Sequence, residues 1–236
     1  MRAIRTTLIV LVVLGALFVA ADRIAVYFAE DQAAEKIRSS QGLSGTPKVS
    51  IKGFPFLTQI ASSSLDEVEV KLDDAVTASA GRESIKVSGF DATLHGVRID
   101  SSFSSAVADR ASGTARISYA DLTKAAADPG VTIGYGGTDA AGKSQVKVTG
   151  KVLVMGQTVE RSVNSTVSVQ GGDTVRVRAD EVPAEGVPGL EQAVRQKIDI
   201  DRQLNGLPKG ITLDKVVPTP DGIEITLAGS KVNLAG

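Results

Sequence analysis

The strongest constraint on the fold is a two-residue alternation of apolar and polar side chains, which recurs from residue 47 almost to the end of the chain. The clearest stretch covers residues 146–179, where valines alternate with polar residues and turn sequences stand at Met155-Gly156-Gln157 and Gly171-Gly172. Neighbouring side chains of a strand point to opposite faces, so this spacing predicts an antiparallel meander with one wet face and one β-branched face. The β-branched face must meet a core, a helix or a ligand.

A helix is predicted over residues 22–41, because good helix formers fill this stretch and Gly42 suits the position that follows a helix. Asp31 and Glu35 lie on the face that carries its apolar side chains, which favours a solvated second half and leaves the register there open. The apolar side chains of that face are Ile24, Tyr27 and Phe28.

Shorter elements follow in the rest of the chain. A short helix is predicted over residues 121–128, where Pro129-Gly130 ends it. After a loop at residues 182–189, apolar residues recur every four positions and predict a second helix. The chain closes with a predicted hairpin over residues 211–227 around a Pro-Asp-Gly turn.

The amino terminus carries an export signal. Arg2 and Arg5 precede an unbroken apolar run over residues 8–21. Its 14 residues are closer to a signal-peptide core than to the roughly 20 residues of a membrane span, and Val19-Ala20-Ala21 suits a signal peptidase. Thr6 and Thr7 could lengthen the span, so a cleaved signal peptide and a signal anchor both stay open. Either one predicts residues 1–21 as a targeting segment and residues 22–236 as one domain outside the cytoplasm.

Composition excludes several classes of function. The chain has no cysteine, which rules out disulfides, thiolate metal sites, a cysteine nucleophile and a lipidated cysteine. A net charge of −1 provides no basic field for nucleic acid. His95 is the only histidine, so a histidine-rich metal site is impossible, and no nucleophile elbow accompanies it in its turn-like context.

Two catalytic patterns match by letters alone. Residues 137–144 fit the phosphate-binding G-x-x-x-x-G-K-S pattern, and Ser144-Gln145-Val146-Lys147 fits Ser-x-x-Lys. Both chemistries need a helix at this point, whereas alternating valines predict a strand. Acidic residues near 66–74 alternate with valines, which predicts that they form the solvent-exposed face of another strand. We therefore predict no catalytic residues, no metal, no cofactor and no enzyme activity.

The stretch Lys52-Gly53-Phe54-Pro55-Phe56-Leu57-Thr58-Gln59 is the most unusual local feature, since the chain has only six phenylalanines and three tyrosines. Pro55 lacks an N–H donor and pushes Phe54 away from helical geometry, which predicts a rigid apolar corner. Taken alone, such a cluster is more often part of a core than a ligand gate.

The corner, followed by Leu65-Asp66-Glu67-Val68-Glu69-Val70, resembles the signature of the LmeA-like phospholipid-binding proteins of actinobacterial envelopes. The resemblance extends to Asp22-Arg23-Ile24-Ala25 and to Leu207-Pro208-Lys209-Gly210-Ile211, and so covers nearly the whole chain. It implies an α+β fold similar to tubular lipid-binding domains. In that plan a long, curved antiparallel β-sheet wraps a long N-terminal helix, with a second short-to-medium helix near the C-terminus.

The same resemblance implies a non-enzymatic protein that binds or carries phospholipid at the outer face of the cytoplasmic membrane. It suggests a phosphoinositide as the lipid, and envelope lipoglycan or mannan synthesis, with its proteins as partners, as the process served. The alternative is a membrane-tethered adaptor that binds another envelope protein and holds no lipid. The oligomeric state stays open. The candidate lipid-binding residues are Phe54, Phe56, Leu57, Ile60, Ile24 and Phe28.

Overall fold

The computed structural model describes residues 2–40, 43–72, 76–80, 83–100, 105–126, 130–154, 157–180, 182, 190–204 and 207–234. Its helices are α1 (Arg2–Ser40), α2 (Phe56–Ala61), α3 (Tyr119–Ala125) and α4 (Leu190–Ile198). Its strands are β1 (Lys48–Lys52), β2 (Ser64–Leu72), β3 (Val76–Ala80), β4 (Glu83–Val87), β5 (Phe90–Ile99), β6 (Ala106–Ile117), β7 (Val131–Thr138), β8 (Ser144–Val154), β9 (Gln157–Gln170), β10 (Thr174–Ala179), β11 (Ile200–Gln203), β12 (Ile211–Thr219) and β13 (Gly222–Asn233).

These strands form two antiparallel sheets and a hairpin. The six-stranded sheet has the order β1-β2-β5-β6-β13-β12, the five-stranded sheet has the order β11-β10-β9-β8-β7, and β3 pairs with β4. The sheets meet where the amide of Leu213 donates to the carbonyl of Gly172 at 2.7 Å. One edge strand of the six-stranded sheet, β1, therefore contacts α1, and the other edge strand, β12, contacts the second sheet.

Helix α1 is continuous through the apolar run and into the domain. Residues 3–21 are exposed, whereas the part from Asp22 onward packs against the six-stranded sheet. The packing face carries Asp22, Val26, Glu30 and Ala34, spaced four residues apart as one side of a helix requires. Asp31 and Glu35 are exposed, as their place on the face of Ile24 and Phe28 predicts, but Ala34 is buried and Ile37 packs beside it, so the second half is packed on one side.

Two hydrophobic clusters share one face of the six-stranded sheet, because the strand register keeps their members on the same side. Cluster 1 joins α1 to β1 and β2 through residues such as Val26, Ile51 and Val68. Cluster 2 joins the second sheet to β12 and β13 through residues such as Val163 and Val216. We call this shared side the inner face.

The predicted α+β class and long N-terminal helix are confirmed, with α1 and the second sheet covering the inner face. The β structure forms two sheets rather than one, because β12 ends one sheet and contacts the other edge-on. The predicted meander is confirmed as β8, β9 and β10, and the closing hairpin as β12 and β13. Helix α4 begins at Leu190, as the four-residue spacing indicates, but three strands follow it. Its placement near the C-terminus was therefore slightly off.

Candidate functional site

The Phe-Pro-Phe corner (residues 52–59) lies between β1 and β2 and contacts α1 at Asp22, directly after the apolar run. Gly53 has φ +95°, the Phe54–Pro55 peptide bond is cis, and α2 begins at Phe56. A Cβ at Gly53 would lie 2.6 Å from Nε2 of Gln59 and 2.8 Å from Oδ2 of Asp66. The positive φ favours a glycine at this position, and any larger residue would also have to displace the side-chain ends of Gln59 and Asp66.

A buried carboxylate fastens the corner to the helix. The side chain of Asp22 has no solvent exposure, and its Oδ1 accepts a hydrogen bond from the amide of Leu57 at 2.8 Å. Its Oδ2 accepts from the guanidinium of Arg23 at 2.6 Å. The first backbone amides of a helix have no hydrogen-bond partner within the helix. Asp22, which lies 35 residues before Leu57 in the chain, accepts one of these hydrogen bonds at the start of α2. Burial raises the pKa of Asp22, but the hydrogen bonds from Arg23 and Leu57 and the charge of Arg23 offset this and leave the pKa lowered.

A second carboxylate on the same helical face holds the edge strand. Oε1 of Glu30 accepts from the amide of Ile51 in β1 at 2.7 Å. Edge strands present unpaired amides, and Glu30 satisfies one of them. Gln59 closes the other side of the corner, since its Nε2 donates to the carbonyl of Lys52 and its Oε1 accepts from the amide of Asp66. Helix, strand and corner are thus joined through side chain to backbone hydrogen bonds.

The structure separates the six candidate lipid-binding residues into two groups. Phe56 is 4% exposed and belongs to cluster 1, where the partly buried Ile60 packs beside it. The other four side chains are exposed, with Phe54 at 59% and Leu57 at 36%. The guanidinium of Arg23 lies over the Phe54 ring at 5.3 Å from its centre. The exposed group is Phe54, Leu57, Ile24 and Phe28.

A partly exposed apolar strip, not expected from the sequence, runs between the two clusters on the inner face. In β5, β6 and β13 the cross-strand register aligns Ala92 with Gly113 and Leu227, and Phe90 with Ala115 and Ile225. All six residues are only partly buried, and Gly113, Ala115 and Leu227 belong to neither cluster. We call these six residues the inner strip. Three of its residues are alanine or glycine, and the strip lies between the part of the sheet that packs against α1 and the part that packs against the second sheet.

The rejected catalytic patterns lie on strands, as the alternation predicts. Lys143 ends a hairpin turn in which Oδ1 of Asp139 accepts from the amides of Ala141 and Lys143, and β8 follows at once. His95 lies within β5 rather than in a turn, and its Nδ1 is 3.3 Å from Oε2 of Glu67. Among the residues that the structure describes, no group of three or more His, Asp or Glu side chains could hold a metal ion.

Fold and site together define an α+β protein with an apolar N-terminal helix and a partly exposed apolar strip on its main sheet. The sequence model of the LmeA-like phospholipid-binding family matches residues 20–228, and the chain belongs to this family. The resemblance inferred from the corner and its flanking motifs is confirmed. No curated protein and no solved structure matches the chain.

Sequence reasoning missed Asp22, Glu30 and the inner strip. A signal for the carboxylates was present, because Asp22 and Glu30 alternate with Val26 and Ala34 at four-residue spacing on one helical face. No local sequence pattern indicates the inner strip. Its residues come from three strands, and only their register brings them together.

Proposed function

We propose that the protein binds phospholipid without catalysing a reaction, with acyl chains lying on the inner strip. The observation that carries this proposal is the row of partly exposed apolar residues between two cores on a single sheet face. A partly exposed apolar surface suits an acyl chain, because each CH₂ group removed from water contributes about 0.8 kcal/mol. Membership of a phospholipid-binding family supports the same class of ligand.

Filling the inner strip should weaken lipid binding. Ala115→Leu places three additional carbons at a position that is a member of neither core cluster. Displacing about three CH₂ groups at about 0.8 kcal/mol each should lower the affinity for lipid by about fiftyfold. The measurement is photocrosslinking of the full chain in membranes with a phospholipid whose acyl chain carries a photoactivatable group, followed by peptide mapping.

The matched control is Thr114→Leu, which adds a similar side chain to the exposed outer face of the same strand. In the wild type we expect labelled peptides from β5, β6 and β13, with labelling lost in Ala115→Leu and kept in Thr114→Leu. Labelling confined to α1 would indicate only the lipids that surround a membrane helix. That result would contradict the proposal and favour the adaptor alternative.

The proposed location of the protein in the cell rests on its apolar N-terminal helix. One described helix is long and apolar enough to cross a membrane, and it lies at the start of the chain. We propose that residues 1–21 target the protein to the cytoplasmic membrane, and that residues 22–236 form one domain on its outer face. The charges of Arg2 and Arg5 support this orientation.

A reporter enzyme that is active only in the cytoplasm, fused after residue 236, tests this topology. We expect it to be inactive, because the positive residues precede the apolar run and hold that end inside. A fusion to a reporter active only outside serves as the control for expression. Strong cytoplasmic activity would exclude the proposed orientation.

The choice of lipid and of cellular process rests on the family resemblance. The proposed lipid is a phosphoinositide, and the proposed role is support of lipoglycan or mannan synthesis in the envelope. Competition in the crosslinking experiment between unlabelled phosphatidylinositol and unlabelled phosphatidylglycerol tests the lipid. Equal competition by both lipids would remove the preference for the inositol headgroup while leaving acyl-chain binding in place.

A further inference from the structure

The apolar run alone is too short for a membrane core. Residues 8–21 form a helix that rises about 21 Å at 1.5 Å per residue, whereas the hydrocarbon core is about 30 Å thick. The exposed side of α1 continues the apolar surface through Ile24, Tyr27 and Phe28. The seven residues from Asp22 to Phe28 add about 10 Å to the helix, so the exposed apolar side chains of this stretch extend from the hydrocarbon core into the interfacial region. Apart from Arg23, the outward side of α1 is therefore apolar as far as Phe28.

The opposite side of α1 at the same level is covered by the Phe-Pro-Phe corner. Asp22 bonds the amide of Leu57, and Arg23 lies over the ring of Phe54, so the corner is fixed beside the first turn after the apolar run. Phe54 and Leu57 nevertheless keep exposed apolar side chains. If the bilayer reaches Phe28 along α1, it also meets these two side chains.

The charges around the corner fit the boundary between hydrocarbon and headgroups. The side chain of Arg23 is half exposed, so its remaining N–H groups are available to lipid phosphates while it stays bonded to Asp22, which is covered by protein. Tyr27 belongs to the aromatic residues that prefer this boundary. Val217 pairs with Glu224, and Glu224 pairs with Arg116. These residues lie at the opposite end of the strands of the six-stranded sheet from the corner.

We propose that the Phe-Pro-Phe corner is a membrane-contact surface, in which Phe54 and Leu57 insert into the interfacial region of the bilayer that holds α1. The contact fixes the domain against the membrane surface rather than leaving it on a free tether. It would keep the inner strip at a constant height above the outer leaflet. This inference rests on the proposed targeting segment being kept as a signal anchor, and it adds a second, separate attachment.

The test uses single-tryptophan reporters in the full chain, which has no tryptophan of its own. The variants Phe54→Trp, Leu14→Trp and Val217→Trp are placed in vesicles of phosphatidylcholine and phosphatidylglycerol, with and without lipids brominated near the headgroup end of the acyl chain. Leu14 reports the anchor, Phe54 the corner and Val217 the distal end of the sheet. Leu57→Trp gives a second reading of the corner should Phe54→Trp disturb the fold.

We expect Phe54→Trp to emit at a shorter wavelength than Val217→Trp and to lose most of its emission with the brominated lipids. Quenching at Leu14 without quenching at Phe54 and Leu57 would overturn the membrane-contact surface and leave the anchor standing. An absence of quenching at all three sites would overturn both. A blue-shifted Phe54→Trp that bromine does not quench would place the ring against protein, in this chain or in a second copy, and would equally overturn the inference.

Discussion

Replacing Phe56 with alanine is expected to lower the free energy of unfolding by about 3–5 kcal/mol, the usual cost of removing a core aromatic ring. The ring is 4% exposed and packs in cluster 1, where α2 meets α1 and β2. Its removal would leave a cavity at the junction that Asp22 and Gln59 hold together. The measurement is denaturant unfolding of the full chain in mild detergent, with the circular dichroism signal of the β-sheets as the readout.

Phe54→Ala is the matched control, because the same residue type two positions earlier is 59% exposed. It loses only the contact with Arg23, which is worth about 0.5–1 kcal/mol at an exposed site. The pair separates two roles that the sequence could not distinguish within one motif. Equal losses from the two substitutions would contradict the placement of Phe56 in the core and of Phe54 on the surface.

Neutralising Asp22 is expected to remove a stabilising contribution that depends on pH. Burial raises the pKa of Asp22, but the hydrogen bonds from Arg23 and the Leu57 amide, with the charge of Arg23, bring it below 3.8. A carboxyl whose pKa is lower in the folded chain stabilises the fold above about pH 3.8, and the contribution disappears as the pH falls through the folded pKa. Asp22→Asn should therefore lower the melting temperature by several degrees at neutral pH, and by less under acidic conditions.

Thermal unfolding of wild type and Asp22→Asn at neutral pH and below pH 4 measures this difference. Asp31→Asn serves as the control, since Asp31 lies on the exposed face of the same helix. The pKa values of Asp173 and Asp201, both in the second sheet or its turns, are also lowered by hydrogen bonds. Part of the acid sensitivity should therefore persist in Asp22→Asn. A melting difference that does not change with pH would show that the charge of Asp22 is unimportant.

The sequence by itself determined the secondary structure of most of the chain. Alternation of valines with polar residues predicted β8, β9 and β10, and it also excluded a phosphate-binding helix after Lys143. Four-residue apolar spacing predicted α4. These predictions succeed because side-chain periodicity is a local property, set by the backbone geometry of a few neighbouring residues.

Only the tertiary structure decided which face of α1 is buried. The apolar face with Ile24 and Phe28 is exposed, and the packed face carries Asp22 and Glu30. A carboxylate can be buried where it accepts hydrogen bonds from backbone amides, and those amides lie 35 and 21 residues away in the chain. The inner strip has the same physical origin. Ala92, Gly113 and Leu227 become neighbours through strand register, which the local pattern of each strand leaves undetermined.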